Sequence, residues 1–212
     1  MRKLFFIVTL LIGVTALKCN AQVDTLQTNN LLNDLTIASS DSVPLLPNHF
    51  LFTQKLLWGQ KGLMRNFNYF KLTPEERQNE LKIRRTMLAT HQILGIATLG
   101  GMVAQGIVGA KLYNGDIKLK GTHEALAAGV NFGYFTTASL ALFAPPKMLD
   151  ERKGYSSIKV HKALAIIHLS GMIATNILAS ELESHPNLRP YHRAAAFTAF
   201  GAFAASMIII KF

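Results

Sequence analysis

The sequence predicts an all-α integral membrane protein, an up-down-up-down four-helix bundle with an N-terminal signal peptide and a short exported amphipathic segment. Half of the 212 residues are hydrophobic and only 16% are charged, which is apolar for a soluble domain of this size. Four apolar segments, about residues 87–110, 124–144, 160–180 and 193–210, each approach the roughly 20 residues needed to cross a bilayer. The polar connections between them are short, which favours antiparallel neighbours.

The charge and the cysteine content limit which partners and which metal ligands the chain can use. The formal net charge is +10, but the basic residues lie mostly beside apolar runs, where they would meet membrane lipids rather than nucleic acid. The single cysteine, Cys19, falls within the predicted signal, so no disulfide or thiolate metal site is expected in the mature chain. Any metal chemistry must therefore rest on histidine, carboxylate or methionine.

Residues 1–21 have the pattern of a secretory signal peptide. Arg2 and Lys3 precede an apolar run, and Ala21 is a small residue before the expected cut. Lys18 makes the cleavage end imperfect. An uncut anchor helix is the alternative interpretation of this segment.

Residues 22–72 are predicted to form an exported linker and an interfacial amphipathic segment. Residues 22–47 are polar and have no clear period, which is typical of a flexible linker. Residues 49–69 are amphipathic but too polar to span, because three basic residues interrupt them: Lys55, Lys61 and Arg65. The sequence leaves two arrangements open here, an interfacial helix or a cap on the membrane bundle.

Residues 73–212 are predicted to form the transmembrane domain. Thr73 as N-cap, Pro74 at the first helical position and two acidic residues in the first turn predict a helix start. No helix breaker follows before the first apolar segment. We therefore expect one long helix that lies partly outside the bilayer.

A histidine lies at the start of each apolar segment: His91, His123, His161 and His192. Because successive helices would run in opposite directions, His91 and His161 approach one membrane face and the other two approach the opposite face. The first and third helices of a four-helix ring are diagonal, as are the second and fourth, and haem iron needs two axial nitrogens on opposite sides. Membrane depth and haem geometry thus predict the same two pairs.

His168 competes with His161 as a ligand, since it lies two turns further along the same helix face. The position of the other histidines at segment starts favours His161, with His168 as a supporting or packing residue. For any one histidine taken singly, an ordinary interfacial polar residue is the competing interpretation. The recurrence in all four segments favours ligands.

Residues 160–165 and 188–194, together with 90–95 and 121–125, resemble the helix starts of the cytochrome b561 superfamily, including its bacterial members and the related ferric-reductase-like transmembrane domains. The resemblance implies a four-helix core with two b-type haems that passes electrons between membrane faces. It assigns His91 and His161 to one haem iron, and His123 and His192 to the other. No clear helix flanks this core, so the electron donor and acceptor are not predicted.

We therefore expect transmembrane electron transfer, with enzymatic activity left open as part of an electron-transfer oxidoreductase. The alternative is a haem-free four-helix scaffold or anchor. The expected location is a bacterial cytoplasmic membrane with the N-terminal segment in the periplasm. That orientation puts eleven basic residues outside and five inside, against the positive-inside rule. Inverting the chain leaves the histidine pairs unchanged, and a homodimer is left open.

Overall fold

The computed structural model describes residues 44–49, 51–148 and 156–210. Every regular element within these ranges is helical, as the sequence predicts, whereas the predicted signal peptide and most of the linker lie outside them. The α-helices are α1 Phe52–Trp58, α2 Pro74–Tyr113, α3 Lys120–Leu142, α4 Ser157–Glu181 and α5 Arg189–Ile209. Short 3-10 helices span Leu63–Asn66, Asn68–Phe70, Ile117–Leu119 and Pro186–Leu188.

Helices α2 to α5 are each long and apolar enough to cross a membrane. Large apolar side chains on all four point away from the protein, among them Ile93, Phe132, Ile166 and Ile208, which are between 68% and 79% exposed. Such surfaces would be costly in water and suit contact with lipid chains. The chain is therefore a multi-pass membrane protein.

Helix α2 begins where the sequence predicts. The Thr73 hydroxyl accepts a hydrogen bond from the Glu76 amide at 3.3 Å, and Pro74 is the first helical residue. The helix then continues for 40 residues, about 60 Å at the usual rise. Because the hydrocarbon core of a bilayer is about 30 Å thick, a large part of α2 lies outside it. The predicted single long helix is confirmed.

The long helices pack mainly as two pairs, α2 with α3 (the first helix pair) and α4 with α5 (the second helix pair). Gly171 lets α4 approach α5 closely, since a Cβ there would lie 3.0 Å from that of Ala199. Between the pairs, the amides of Asn131 and Asn176 exchange two hydrogen bonds of 2.7 and 3.0 Å. The buried apolar core contains Met102, Val130, Tyr134, Met172, Ala199 and Phe203.

Residues 51–70, which we call the cap, pack against the segment that follows α3. Five successive carbonyls of residues 142–146 each accept a hydrogen bond from a different side chain. These bonds run from Thr53 to Leu142 (2.7 Å), Trp58 to Phe143 (2.9 Å), Gln54 to Ala144 (2.9 Å), Arg84 to Pro145 (2.6 Å) and Arg77 to Pro146 (3.0 Å). The cap and the start of α2 thus supply donors for the last carbonyl of α3, which a helix end leaves without an intrahelical partner, and for the four carbonyls that follow it.

A buried ion cluster fastens the cap to α2. The Glu80 carboxylate contacts the guanidinium groups of both Arg65 and Arg77, and all three side chains are at least nine-tenths buried. Trp58 is buried as well, at 5% exposure. The sequence left open an interfacial helix or a cap on the bundle for this segment, and in the structure it packs on the bundle as a cap. Its polar side chains point inward and bind backbone carbonyls and the Glu80 carboxylate.

Candidate functional site

Four histidine rings form two pairs inside the bundle, and the ring planes of each pair are steeply inclined, at 81° and 72°. The ring centres of His91 and His161 are 6.3 Å apart, and those of His123 and His192 are 6.5 Å apart. Each set joins one ring from the first helix pair to one from the second. These are the two pairs that the sequence analysis names, and their role as ligands stays a prediction.

A common register positions these rings. In every long helix the histidine is followed, fourteen residues later, by a residue that contacts a histidine of the partner helix: 91 and 105 in α2, 123 and 137 in α3, 161 and 175 in α4, 192 and 206 in α5. Fourteen residues correspond to about 21 Å of helix. The two histidine sets are therefore separated by roughly that distance along the bundle.

Three of the four histidines are oriented by backbone carbonyls. The Nδ1 atom of His91 lies 2.8 Å from the carbonyl oxygen of Thr137. The other two contacts, both 3.0 Å, join Nδ1 of His161 to the Ser206 carbonyl and Nδ1 of His192 to the Thr175 carbonyl. A carbonyl can only accept, so each of these Nδ1 atoms carries the proton and each Nε2 has its lone pair available for a ligand bond. Metal-binding histidines commonly have this arrangement.

The spacing of the rings suits one iron atom between each two. A metal–imidazole nitrogen bond is about 2 Å long and the ring centre lies roughly 1 Å beyond the nitrogen, so two imidazoles on opposite sides of one metal have centres about 6 Å apart. The separations of 6.3 and 6.5 Å agree with that value. The residues present therefore fit a bis-histidine haem at both places.

Each of the two places offers two histidine side chains as nitrogen donors. No group of three or more His, Cys, Asp or Glu side chains comes together in the described part of the chain. A pair of histidines is a donor set that suits haem.

His123 differs from the other three histidines. Its Nε2 lies 3.2 Å from the side-chain nitrogen of Gln105, while its Nδ1 is buried and has no partner among the described residues. The carbonyl oxygen Oε1 of the same Gln105 is also buried and without a partner in that part of the chain. An unsatisfied donor and an unsatisfied acceptor thus lie on two residues that already touch.

Gly109 provides the surface on which the His123 ring rests. A Cβ at this position would lie 2.9 Å from Cε1 and 3.2 Å from Nδ1 of His123. A side chain there would push the ring out of place. By contrast, a Cβ at Gly106, one turn earlier, would meet nothing within 4 Å.

A cavity of about 820 Å³ adjoins His123 and His192. This volume is within the range of small-molecule and cofactor pockets. The wall is largely apolar and includes small residues, with the Asn131–Asn176 amide pair and two arginines as polar contributions. The small and basic residues are Gly106, Gly109, Ala110, Ala127, Arg189 and Arg193.

Charged and aromatic groups surround the mouth of this cavity. The Lys120 ammonium donates to the Glu183 carboxylate at 2.9 Å, which holds the pKa of that carboxyl below its usual range, and lies 3.7 Å from Glu124. The Arg193 guanidinium stacks 4.5 Å from the centre of the Tyr113 ring. Lys120 therefore pairs with carboxylates, whereas the Arg193 guanidinium stacks on an aromatic ring at the cavity.

His168, the alternative to His161, lies elsewhere in the bundle. Its Nδ1 is 2.6 Å from the Tyr134 hydroxyl, and its ring packs edge-on against Tyr134 and Phe203. The side chain is buried at 8% exposure. The ring beside His91 is that of His161, seven residues earlier in α4. His168 thus occupies a packed polar–aromatic cluster between the levels of the two histidine sets.

The residues that support the rings have no side-chain pattern that marks them in the sequence. Gln105 and Gly109 received no role from sequence alone. The supporting groups of Thr137, Thr175 and Ser206 are backbone carbonyls, which every residue has, so no side-chain signal marks them. The fourteen-residue register was the available signal, because it places an acceptor from the partner helix level with each histidine.

Comparisons of the chain with known protein families, with curated proteins and with solved structures find no match.

Proposed function

We propose that this chain is a transmembrane electron carrier in which two b-type haems are held by His91 with His161 and by His123 with His192. Its helices would run up, down, up and down in a bacterial cytoplasmic membrane, in the manner of the cytochrome b561 superfamily that the helix starts resemble. One observation carries the proposal: the two histidine sets both have the ring separation of a bis-histidine site.

When bound, each haem iron would supply one-electron redox chemistry at the level of its histidine set. The protein's own groups would do the rest. The Nε2 atoms of two histidines would hold each haem iron, and a pair of histidine ligands favours electron transfer over the binding of oxygen or a substrate. The carbonyls of Thr137, Ser206 and Thr175 fix the tautomer and orientation of three rings.

The surroundings of the sites are consistent with this chemistry. The wall of the cavity beside His123 and His192 is largely apolar, and apolar surroundings raise the influence of nearby charges on a redox potential. Arg189 and Arg193 line the same cavity and suit the acidic side groups of haem b. The outer surface of the helices is apolar and suits lipid. Electrons would thus pass between two sites about 20 Å apart along the bundle.

The proposal is tested by purifying the full chain from haem-sufficient cells. We expect a reduced-minus-oxidised spectrum of b type and two haems per chain by a haem-to-protein assay. A colourless but folded and monodisperse protein would overturn the proposal and favour the haem-free scaffold, for which the elaborate cap is the supporting feature.

The ligand assignment has its own test. His161→Ala is expected to remove one haem and keep the other, whereas His168→Ala should keep both, since His168 contacts Tyr134 and Phe203 rather than His91. Retention of one haem shows that a variant has folded. Loss of one haem from His168→Ala, with both retained by His161→Ala, would exchange the two roles.

A further inference from the structure

We infer that Gln105 is a positioning residue for His123, with its side-chain carbonyl taking the part that backbone carbonyls take for the other three histidines. The inference rests on the proposed function, since it concerns how one of the two haem sites is tuned. It assigns a role to a residue in the interior of α2 that is not itself a ligand.

The fourteen-residue register places Gln105 level with His123. His91, His161 and His192 each place Nδ1 against the carbonyl of a residue fourteen positions beyond the histidine of the partner helix. For His123 that position is residue 105, and here it is the side chain of Gln105 that makes contact. At His123 the contact that the fourteen-residue register predicts is therefore made by a side chain instead of a backbone carbonyl.

Two buried atoms on Gln105 and His123 have no hydrogen-bond partner in the described structure. Gln105 Oε1 can only accept, His123 Nδ1 can donate, and both are buried without partners in the described structure. The single bond between the two residues instead uses the amide nitrogen and Nε2, the atom needed for iron. If Nε2 is to hold iron, the amide nitrogen must leave it, and a turn of the amide would then point Oε1 towards the His123 ring. One rearrangement then satisfies both buried atoms.

This arrangement makes the two sites unequal. A backbone carbonyl acceptor is the same whatever residue carries it, whereas the acceptor at position 105 depends on the side chain. The strength of the hydrogen bond at Nδ1 sets the basicity of the imidazole, and a more basic ligand stabilises oxidised iron. Residue 105 therefore adjusts the potential of the His123–His192 site and leaves the His91–His161 site unchanged.

The test compares two variants of similar size in the purified full chain with its haems. Gln105→Leu removes the acceptor, so the midpoint potential of one of the two haem components should rise. Gln105→Glu strengthens the acceptor, so the potential of the same component should fall. The other component should stay at its wild-type value in both. Ile107→Leu, at an exposed position of the same helix, is the control and should shift neither component.

Haem content is the second measurement. If Gln105→Leu loses one haem while Gln105→Glu keeps two, the inference is also supported, because the variants differ in whether an acceptor is present. Equal shifts of both components, shifts of the same sign in both variants, or no shift in either would overturn it. None of these results requires the proposed function to fail, which a protein without any haem would show in the wild type.

Discussion

The two histidine sets have nearly the same spacing in sequence and nearly the same ring separation, yet they are supported differently. At the His91–His161 set both rings are oriented by backbone carbonyls, from Thr137 and Ser206. At the His123–His192 set one ring has a backbone carbonyl and the other has only a glutamine side chain. The same fourteen-residue register therefore orients both rings of one set through the backbone, whereas in the other set the contact of one ring depends on a side chain.

The two ends of the bundle also differ, because protein covers one end and a cavity lies at the other. The cap and its hydrogen bonds to residues 142–146 cover the end nearer His91 and His161. The opposite end has short connections and the large cavity beside His123 and His192. One end is closed by protein, and the other is accessible to a cofactor or a partner.

The largest loss of stability is expected when the ion cluster at the capped end is disrupted. Glu80→Gln removes the only carboxylate in contact with the buried Arg65 and Arg77 side chains in the described structure, which should cost about 3–5 kcal/mol of stability. Thermal unfolding in detergent, followed by haem absorbance, should show the His91–His161 component lost first. Glu75→Gln, at an exposed position of the same helix, should change stability by less than about 0.5 kcal/mol. Equal melting of both variants would contradict this asymmetry.

At the end with the cavity, adding one methyl group at Gly109 should disturb the His123 ring. Gly109→Ala places a Cβ 2.9 Å from the His123 ring, and relieving that contact should cost about 1–3 kcal/mol and displace the ligand. The haem-to-protein ratio is expected to fall from two towards one. Gly106→Ala, whose Cβ meets nothing within 4 Å, should retain both haems. If both alanine variants behave alike, the ring does not depend on Gly109.

A smaller effect is expected at the amide pair that joins the two helix pairs beside the cavity. Asn131→Leu leaves the Asn176 side chain without its reciprocal partner, and the loss should be about 1–2 kcal/mol. The double variant Asn131→Leu, Asn176→Leu should recover part of it, because no unsatisfied amide remains. A double-variant cycle of unfolding measurements checks this, and strictly additive losses would contradict it.

The smallest effect is expected midway between the sites. Tyr134→Phe removes the hydroxyl that contacts His168 and should cost about 1 kcal/mol, with both haems retained and both midpoint potentials unchanged. Spectroscopic redox titration and thermal unfolding provide the measurements. A change confined to one haem component would show that the His168 cluster belongs to that site.

Much of the fold could be predicted because its signals are local. The capping residue Thr73 and Pro74 gave the first residue of α2 correctly, and apolar length gave the four long helices. The last three helices begin three or four residues before their apolar segments, because α3, α4 and α5 begin in polar sequence at Lys120, Ser157 and Arg189. Apolar length marks the hydrocarbon core, while a helix extends beyond it.

The site was only partly predictable for a different reason. Histidines are visible in sequence, and alternation of helix direction was enough to pair them. The contacts of Gln105 and Gly109 depend on which face of α2 meets α3, and the choice between His161 and His168 depends on how far α4 slides along its neighbours. Those quantities are set by tertiary packing, for which a lone sequence carries little signal.

The five successive carbonyls of residues 142–146 have a consequence for biosynthesis. Their donors, in residues 53–84, are made first, and these five bonds cannot form until α3 has emerged and reached its final depth. Closure of the cap against this segment therefore follows insertion of the first helix pair. A chain arrested before residue 142 could still form the contacts of Glu80 with Arg65 and Arg77 but would lack all five of these bonds, so the cap would be only partly held.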